Sequence, residues 1–166
     1  MSKFKNFGLL ELLVILSGTY VVLMLLWTAS TRSAVEEKAN TVKSNHKQIV
    51  DFINSEINQC DKGDENSKTK WGDSCKGEWL SKKVIRYINE NLNLTNPYSS
   101  NKEIIKQAQD PRLQAEGKAG QSTEMGVIFL SSKNFNSEPG SEWVIGTCVK
   151  SPCVAAGNNE LTSVYR

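Results

Sequence analysis

The sequence predicts an α+β fold in which one long N-terminal α-helix packs on a small three-stranded antiparallel sheet. Three observations predict it. The stretch from Phe7 to Trp27 is almost wholly apolar, a helically spaced apolar stripe continues to Cys60, and the C-terminal third holds three short β-rich runs between turn residues. At 166 residues the chain has room for a single core. Its formal net charge is only +2, with Lys and Arg scattered among Asp and Glu. No basic face is clustered, so no nucleic-acid partner is evident.

The run from Phe7 to Trp27 forms a helix roughly 32 Å long at about 1.5 Å per residue, close to the hydrocarbon thickness of a bilayer. Lys3 and Lys5 precede it, which leaves the N-terminus in the cytoplasm and sends the remainder across. A cleaved signal peptide is the competing reading, given Thr28-Ala29-Ser30 and Ser33-Ala34 after the run. The run exceeds the usual signal-peptide core of about 7–15 residues. It also carries Glu11. A carboxylate costs about 2.5–3.5 kcal/mol at the centre of a membrane helix, less near an end, and a signal peptide gains nothing from it.

Beyond the apolar run, Val35, Ala39, Val42, Ile49, Ile53, Ile57 and Cys60 keep one stripe on one helix face. Glu36, Glu37, Lys38, Lys43, Lys47, Asp51 and Glu56 form an expected solvated face. No Pro or Gly interrupts Thr19 to Gln59. A single helix therefore spans residues 7–59, apolar all round over 7–27 and amphipathic over 28–59. His46, the only histidine, lies in the stripe without a second ligand at metal spacing, which makes it a packing residue rather than a switch or ligand. Ser17-Gly18-Thr19 reads either as a close helix-packing surface or as a soft spot, since Gly lowers helix propensity by about 1 kcal/mol.

Residues 60–166 form the expected head. Cys60, Cys75, Cys148 and Cys153 all fall on the exported side, and an even count there reads as two disulfides. Sequence proximity favours Cys60–Cys75 and Cys148–Cys153 among the three connectivities open to four cysteines. Neither pair is CxxC, so no zinc site is expected. Asp61, Asp64, Glu65 and Asp73 lack EF-hand spacing and read as solvated charges. Glu78 to Asn91 has the pattern of a short amphipathic helix, Asn96-Pro97 marks a turn, and Asn101 to Ala108 reads as another helical turn or two. Gln109 to Thr123 is polar, contains Pro111, Gly117 and Gly120, and reads as an exposed loop. Met125–Leu130, Glu142–Val149 and Glu160–Tyr165 are the three expected strands. Asn93-Leu94-Thr95 matches the N-glycosylation triplet.

The segment Phe7-Gly8-Leu9-Leu10-Glu11-Leu12-Leu13-Val14-Ile15-Leu16 resembles the start of type IV pilins and pseudopilins, which typically read Phe-Thr-Leu-Ile-Glu-Leu. The likeness is specific over about ten residues and continues as architecture: long helix, small sheet, cysteine-closed C-terminal region. It implies that residues 1–6 are a leader removed by a prepilin peptidase, that the new N-terminal amine is methylated, and that subunits pack their apolar helices into a filament. It further implies that Glu11 pairs with a neighbour's amine, carried by Phe7, since a carboxylate in an apolar core is tolerated when an opposite charge meets it. The family has glycine before the cleaved bond. Here Asn6 holds that position if Glu11 is fifth in the mature chain, whereas cleavage after Gly8 restores the glycine and makes Glu11 third. The late proline of many family members is also missing.

The functional expectation is a structural subunit of a type IV pilus, a homopolymer inserted in the inner membrane with a periplasmic head and then assembled outside the cell by the pilus machinery. The alternatives are a pseudopilin of a type II secretion system and a single-pass anchored periplasmic binding protein that never assembles. An enzyme is not expected, because no nucleophile–base pair or Gly-rich phosphate loop is present; no cofactor is expected.

Overall fold

The structure, a computed structural model, describes residues 8–64, 66–100, 103–118, 124–136 and 138–166. It falls into two compact units, 1–37 and 38–166. Within the described residues the first unit is helical from Leu9 onward, and it is the N-terminal part of α1, Leu9–Lys62. That helix runs one turn past the expected end at Gln59.

The second unit contains the rest of α1, then α2 (Ser81–Asn91), β1 (Ile105–Ala108), α3 (Pro111–Ala115), β2 (Ile128–Ser131), β3 (Glu142–Cys148) and β4 (Asn159–Tyr165). The four strands form one sheet in the order β1-β2-β3-β4. β1 and β2 are parallel, with Ile105 opposite Ile128, while β2–β3 and β3–β4 are antiparallel. The sheet is thus mixed and four-stranded, where three antiparallel strands were expected.

The additional strand comes from the segment expected to be helical. Asn89 of α2 explains the difference: its Nδ2 donates to the Ile105 carbonyl at 2.9 Å, and its Oδ1 accepts from the Ile104 and Ile105 amides at 3.0 and 3.2 Å. These bonds hold the chain extended as it enters the sheet, so tertiary pairing overrides the high helix propensity of Lys106-Gln107-Ala108. A parallel neighbour then requires a crossover. The expected loop from Gln109 to Thr123 supplies it, with α3 inside. Asp110 is its N-cap, accepting from the Arg112 and Leu113 amides, and Pro111 occupies the first turn.

α3 covers the second face of the sheet. A Cβ on Gly146 would lie 2.4 Å from the Pro111 carbonyl oxygen and 3.2 Å from Ala115 Cβ, so glycine is what lets helix and strand meet. Burial on both faces is why all four residues of β2 are buried. The main core lies on the opposite face. Ile49, Ile53, Ile57 and Cys60 of α1 meet Val84 and Ile88 of α2 and the strand residues Ile105, Ile128, Leu130, Trp143, Ile145 and Val164. Trp79, Phe135 and Trp143 pack together within it at centroid separations of 4.7–6.3 Å, Trp79 stacked on Phe135 and Trp143 tilted against both. Val35, expected in the stripe, is exposed; burial begins at Ala39.

Candidate functional site

Every side chain described from Glu11 to Lys38 is exposed, including the aliphatic residues from Leu12 to Leu26 and Trp27, which is 70% exposed. α1 is the one described helix long and apolar enough to cross a membrane. Its polar residues are arranged to hide their polarity. Ser17, Thr19, Thr28 and Thr31 each donate their hydroxyl to the carbonyl three residues back, at 2.9–3.0 Å. Such back-bonding leaves no hydroxyl proton to be desolvated when the helix is surrounded by apolar material.

Glu11 occupies the first turn of α1. Its Oε2 accepts from the Gly8 amide at 3.2 Å, the reach-back half of a capping box. A carboxylate there also meets the positive end of the helix dipole. Glu11 therefore has a local role within its own helix. Gly8 supplies the amide; Asn6 and Phe7, and with them the cleavage register after Asn6, lie outside the described residues. On the same helix face as Glu11, Gly18 has no heavy atom within 4 Å of where a Cβ would stand. Around it Val14, Ile15, Gly18, Thr19, Val22 and Leu23 line a shallow groove of about 500 Å³.

The second unit is cross-linked by two disulfides, one of them anchored in α1, and holds several buried polar groups. Cys60 is bonded to Cys75 and Cys148 to Cys153, with Cα separations of 5.0 and 5.2 Å. Glu56 was expected on the solvated face, yet it is 2% exposed. Its Oε2 accepts from the Lys70 amide at 3.0 Å, and Lys70 Nζ lies 2.9 Å from its Oε1. The bond to Glu56 holds the Lys70 ammonium above its ordinary pKa. Asp73, expected to be solvated, is buried as well. It accepts from the Leu80 amide at 2.9 Å and from Lys83 Nζ at 2.5 Å, which caps α2 where Leu80 has no capping side chain. Both corrections have one cause: the loop closed by Cys60–Cys75 folds back onto α1 and α2, bringing the Lys70 donors to Glu56 and carrying Asp73 to the donors of Leu80 and Lys83.

His46 is a packing residue. It is 4% exposed, its Nε2 is 2.9 Å from Thr162 Oγ1 of β4, and its Nδ1 has no partner among the described residues. Burial pushes its pKa from 6.5 down to about 4, against the opposing pull of Glu160. Arg166 closes the sheet end: its guanidinium donates to the Cys75 carbonyl and lies 4.5 Å from the centroid of the Trp79 ring. Among the described residues no group of three or more His, Cys, Asp or Glu is placed to hold a metal ion. The signal that sequence reading missed is Asp110-Pro111, an N-cap followed by a first-turn proline, which marks α3 within an otherwise loop-like stretch.

Comparison with protein families, with curated proteins and with solved structures finds no match to this chain.

Proposed function

We propose that the chain is a structural subunit of a type IV pilus. It is held first in the inner membrane by the apolar half of α1, with the head in the periplasm, and then assembles into an extracellular filament by packing of these helices. The observation that carries the reading is the run of exposed apolar side chains from Leu12 to Trp27. Fully covering a Leu, Ile or Val contributes about 1.5–3 kcal/mol each, so this surface is stable only in lipid or against other apolar helices. Outside the cell only the second cover exists. Glu11 at the start of the run is the group that a neighbour's amine would neutralise.

The single-pass anchor is favoured by a different observation, the bond from the Gly8 amide to Glu11, which gives one carboxylate oxygen a partner within its own helix. Glu11→Ala separates the two. For a pilus subunit, filaments sheared from cells fall by tenfold or more while the head stays disulfide-bonded and folded. For an anchor, the wild-type chain yields no sheared filament and remains in the membrane fraction. Wild-type filament yield from Glu11→Ala rules out charge pairing as the basis of assembly.

A further inference from the structure

The two edges of the sheet are finished differently. The order β1-β2-β3-β4 leaves β1 at one edge and β4 at the other, and an edge strand presents unpaired N–H and C=O groups to whatever lies beside it. At β1 the edge is short, and Asn89 takes both the amide and the carbonyl of Ile105. β4 has no such guard. It is seven residues long, carries no proline or lysine, and runs without a bulge along β3. The bonds at its two ends fix which way its backbone faces: the Val149 amide donates to the Asn158 carbonyl, and the Arg166 amide donates to the Ser141 carbonyl. Alternate residues of an antiparallel strand bond to the same neighbour, so positions 160, 162 and 164 serve β3 and the backbones of Leu161, Ser163 and Tyr165 face outward. None of these three has a backbone partner on that side among the described residues.

The side chains of β4 say what fits there. Glu160, Thr162 and Val164 face α1, where Lys43, His46 and the core hold them. Leu161 and Tyr165 lie on the other face, 46% and 62% exposed, with Ser163 between them. A second β4 laid antiparallel with Ser163 opposite Ser163 meets every outward backbone with an outward backbone. Leu161 then stands opposite Tyr165 at two places, Thr162 opposite Val164, and Glu160 opposite Arg166, acid against base. A shift of one residue sets outward positions against inward ones and loses the ladder; a shift of two leaves neither the Leu–Tyr nor the Glu–Arg pair opposite. Glu160 keeps Lys43 at 3.4 Å and Arg166 keeps its bond to the Cys75 carbonyl, so the charge match sets the register rather than adding a buried ion pair. We propose that β4 is where two copies of this chain pair, antiparallel about Ser163, joining their two sheets into one. The same patch is used by both copies, so the contact closes as a dimer. It belongs to the head and does not rest on the filament reading.

The test measures the mass of the full chain in detergent micelles by sedimentation, for wild type and for Leu161→Lys, with far-UV circular dichroism to show that both are folded. Ser163→Cys is oxidised mildly in parallel and read on a non-reducing gel, with Asp51→Cys on the exposed side of α1 as the control. The expected result is a wild-type dimer that Leu161→Lys weakens about tenfold or more, because the substitution removes both Leu–Tyr pairs and places a lysine on the edge. Ser163→Cys is expected to cross-link two copies, since directly opposed Cα atoms in such a pair stand about 5.5 Å apart, within disulfide reach. A monomeric wild type, a Leu161→Lys dimer as tight as wild type, or no more cross-linking from Ser163→Cys than from Asp51→Cys overturns the pairing. Each of these outcomes leaves the filament reading standing, because sheared-filament yield is read separately.

Discussion

Acidification tests how α1 is seated on the sheet. His46 is buried between α1 and β4, neutral in the folded state with its pKa near 4, against 6.5 for an accessible histidine. The unfolded chain therefore binds more protons between these values, and stability must fall as pH drops through that window and be fully retained above 6.5. From pH 7.5 to pH 5 the two titrations give a loss of about 2 kcal/mol; the full shift corresponds to about 3 kcal/mol below pH 4. Lys43 and Glu160, paired at 3.4 Å, are the charged neighbours, and Glu160 limits the loss by attracting the imidazolium. The measurement is urea unfolding of the full chain in micelles, followed by tryptophan fluorescence, since Trp79 and Trp143 are fully buried. Two kcal/mol moves the midpoint by about 1 M. His46→Gln is expected to be less stable at pH 7.5 but flat from pH 7.5 to 5. An equal slope in wild type and His46→Gln refutes the assignment of this loss to His46.

Two further predictions concern the architecture of the head. Gly146→Ala places a methyl against the Pro111 carbonyl, a backbone atom that no rotamer change can move, and should destabilise the head by about 1–3 kcal/mol in the same urea assay; a neutral result would mean that α3 does not lie on β3. The disulfides should rank by the chain they close: replacing Cys60 and Cys75 by serine costs about 3 kcal/mol, and replacing Cys148 and Cys153 about 2, with the larger fall in melting temperature from the first pair.

Periodicity made the long helix legible because its apolar residues repeat over many turns and no Pro or Gly breaks the amphipathic half. α2, β3 and β4 were readable for the same reason, each with enough residues to show its own period. β1 was not, because its four residues have no strand pattern and owe their extended form to Asn89, a side chain on another element. Glu56 and Asp73 were misplaced because their partners lie across loops: Lys70 follows Glu56 by fourteen positions, and Lys83 follows Asp73 by ten. Of the candidate site, Glu11 was legible as the one carboxylate in the apolar run and Gly8 as its neighbour within that run. The bond between them needed the coordinates, since a pilin-like glutamate and a capping glutamate look identical in one-letter code.

The Cys60–Cys75 bond also sets how the chain carries a pull. It joins the last turns of α1 to the loop just before α2, with fifteen positions of backbone bypassed. Without the bond, tension between α1 and the sheet can draw that loop out by roughly 50 Å at the fully extended spacing of about 3.4 Å per residue. With it, the load passes from helix to head through one covalent step. The loop, with the carboxylate–lysine pairs it supports, is then spared as a source of slack.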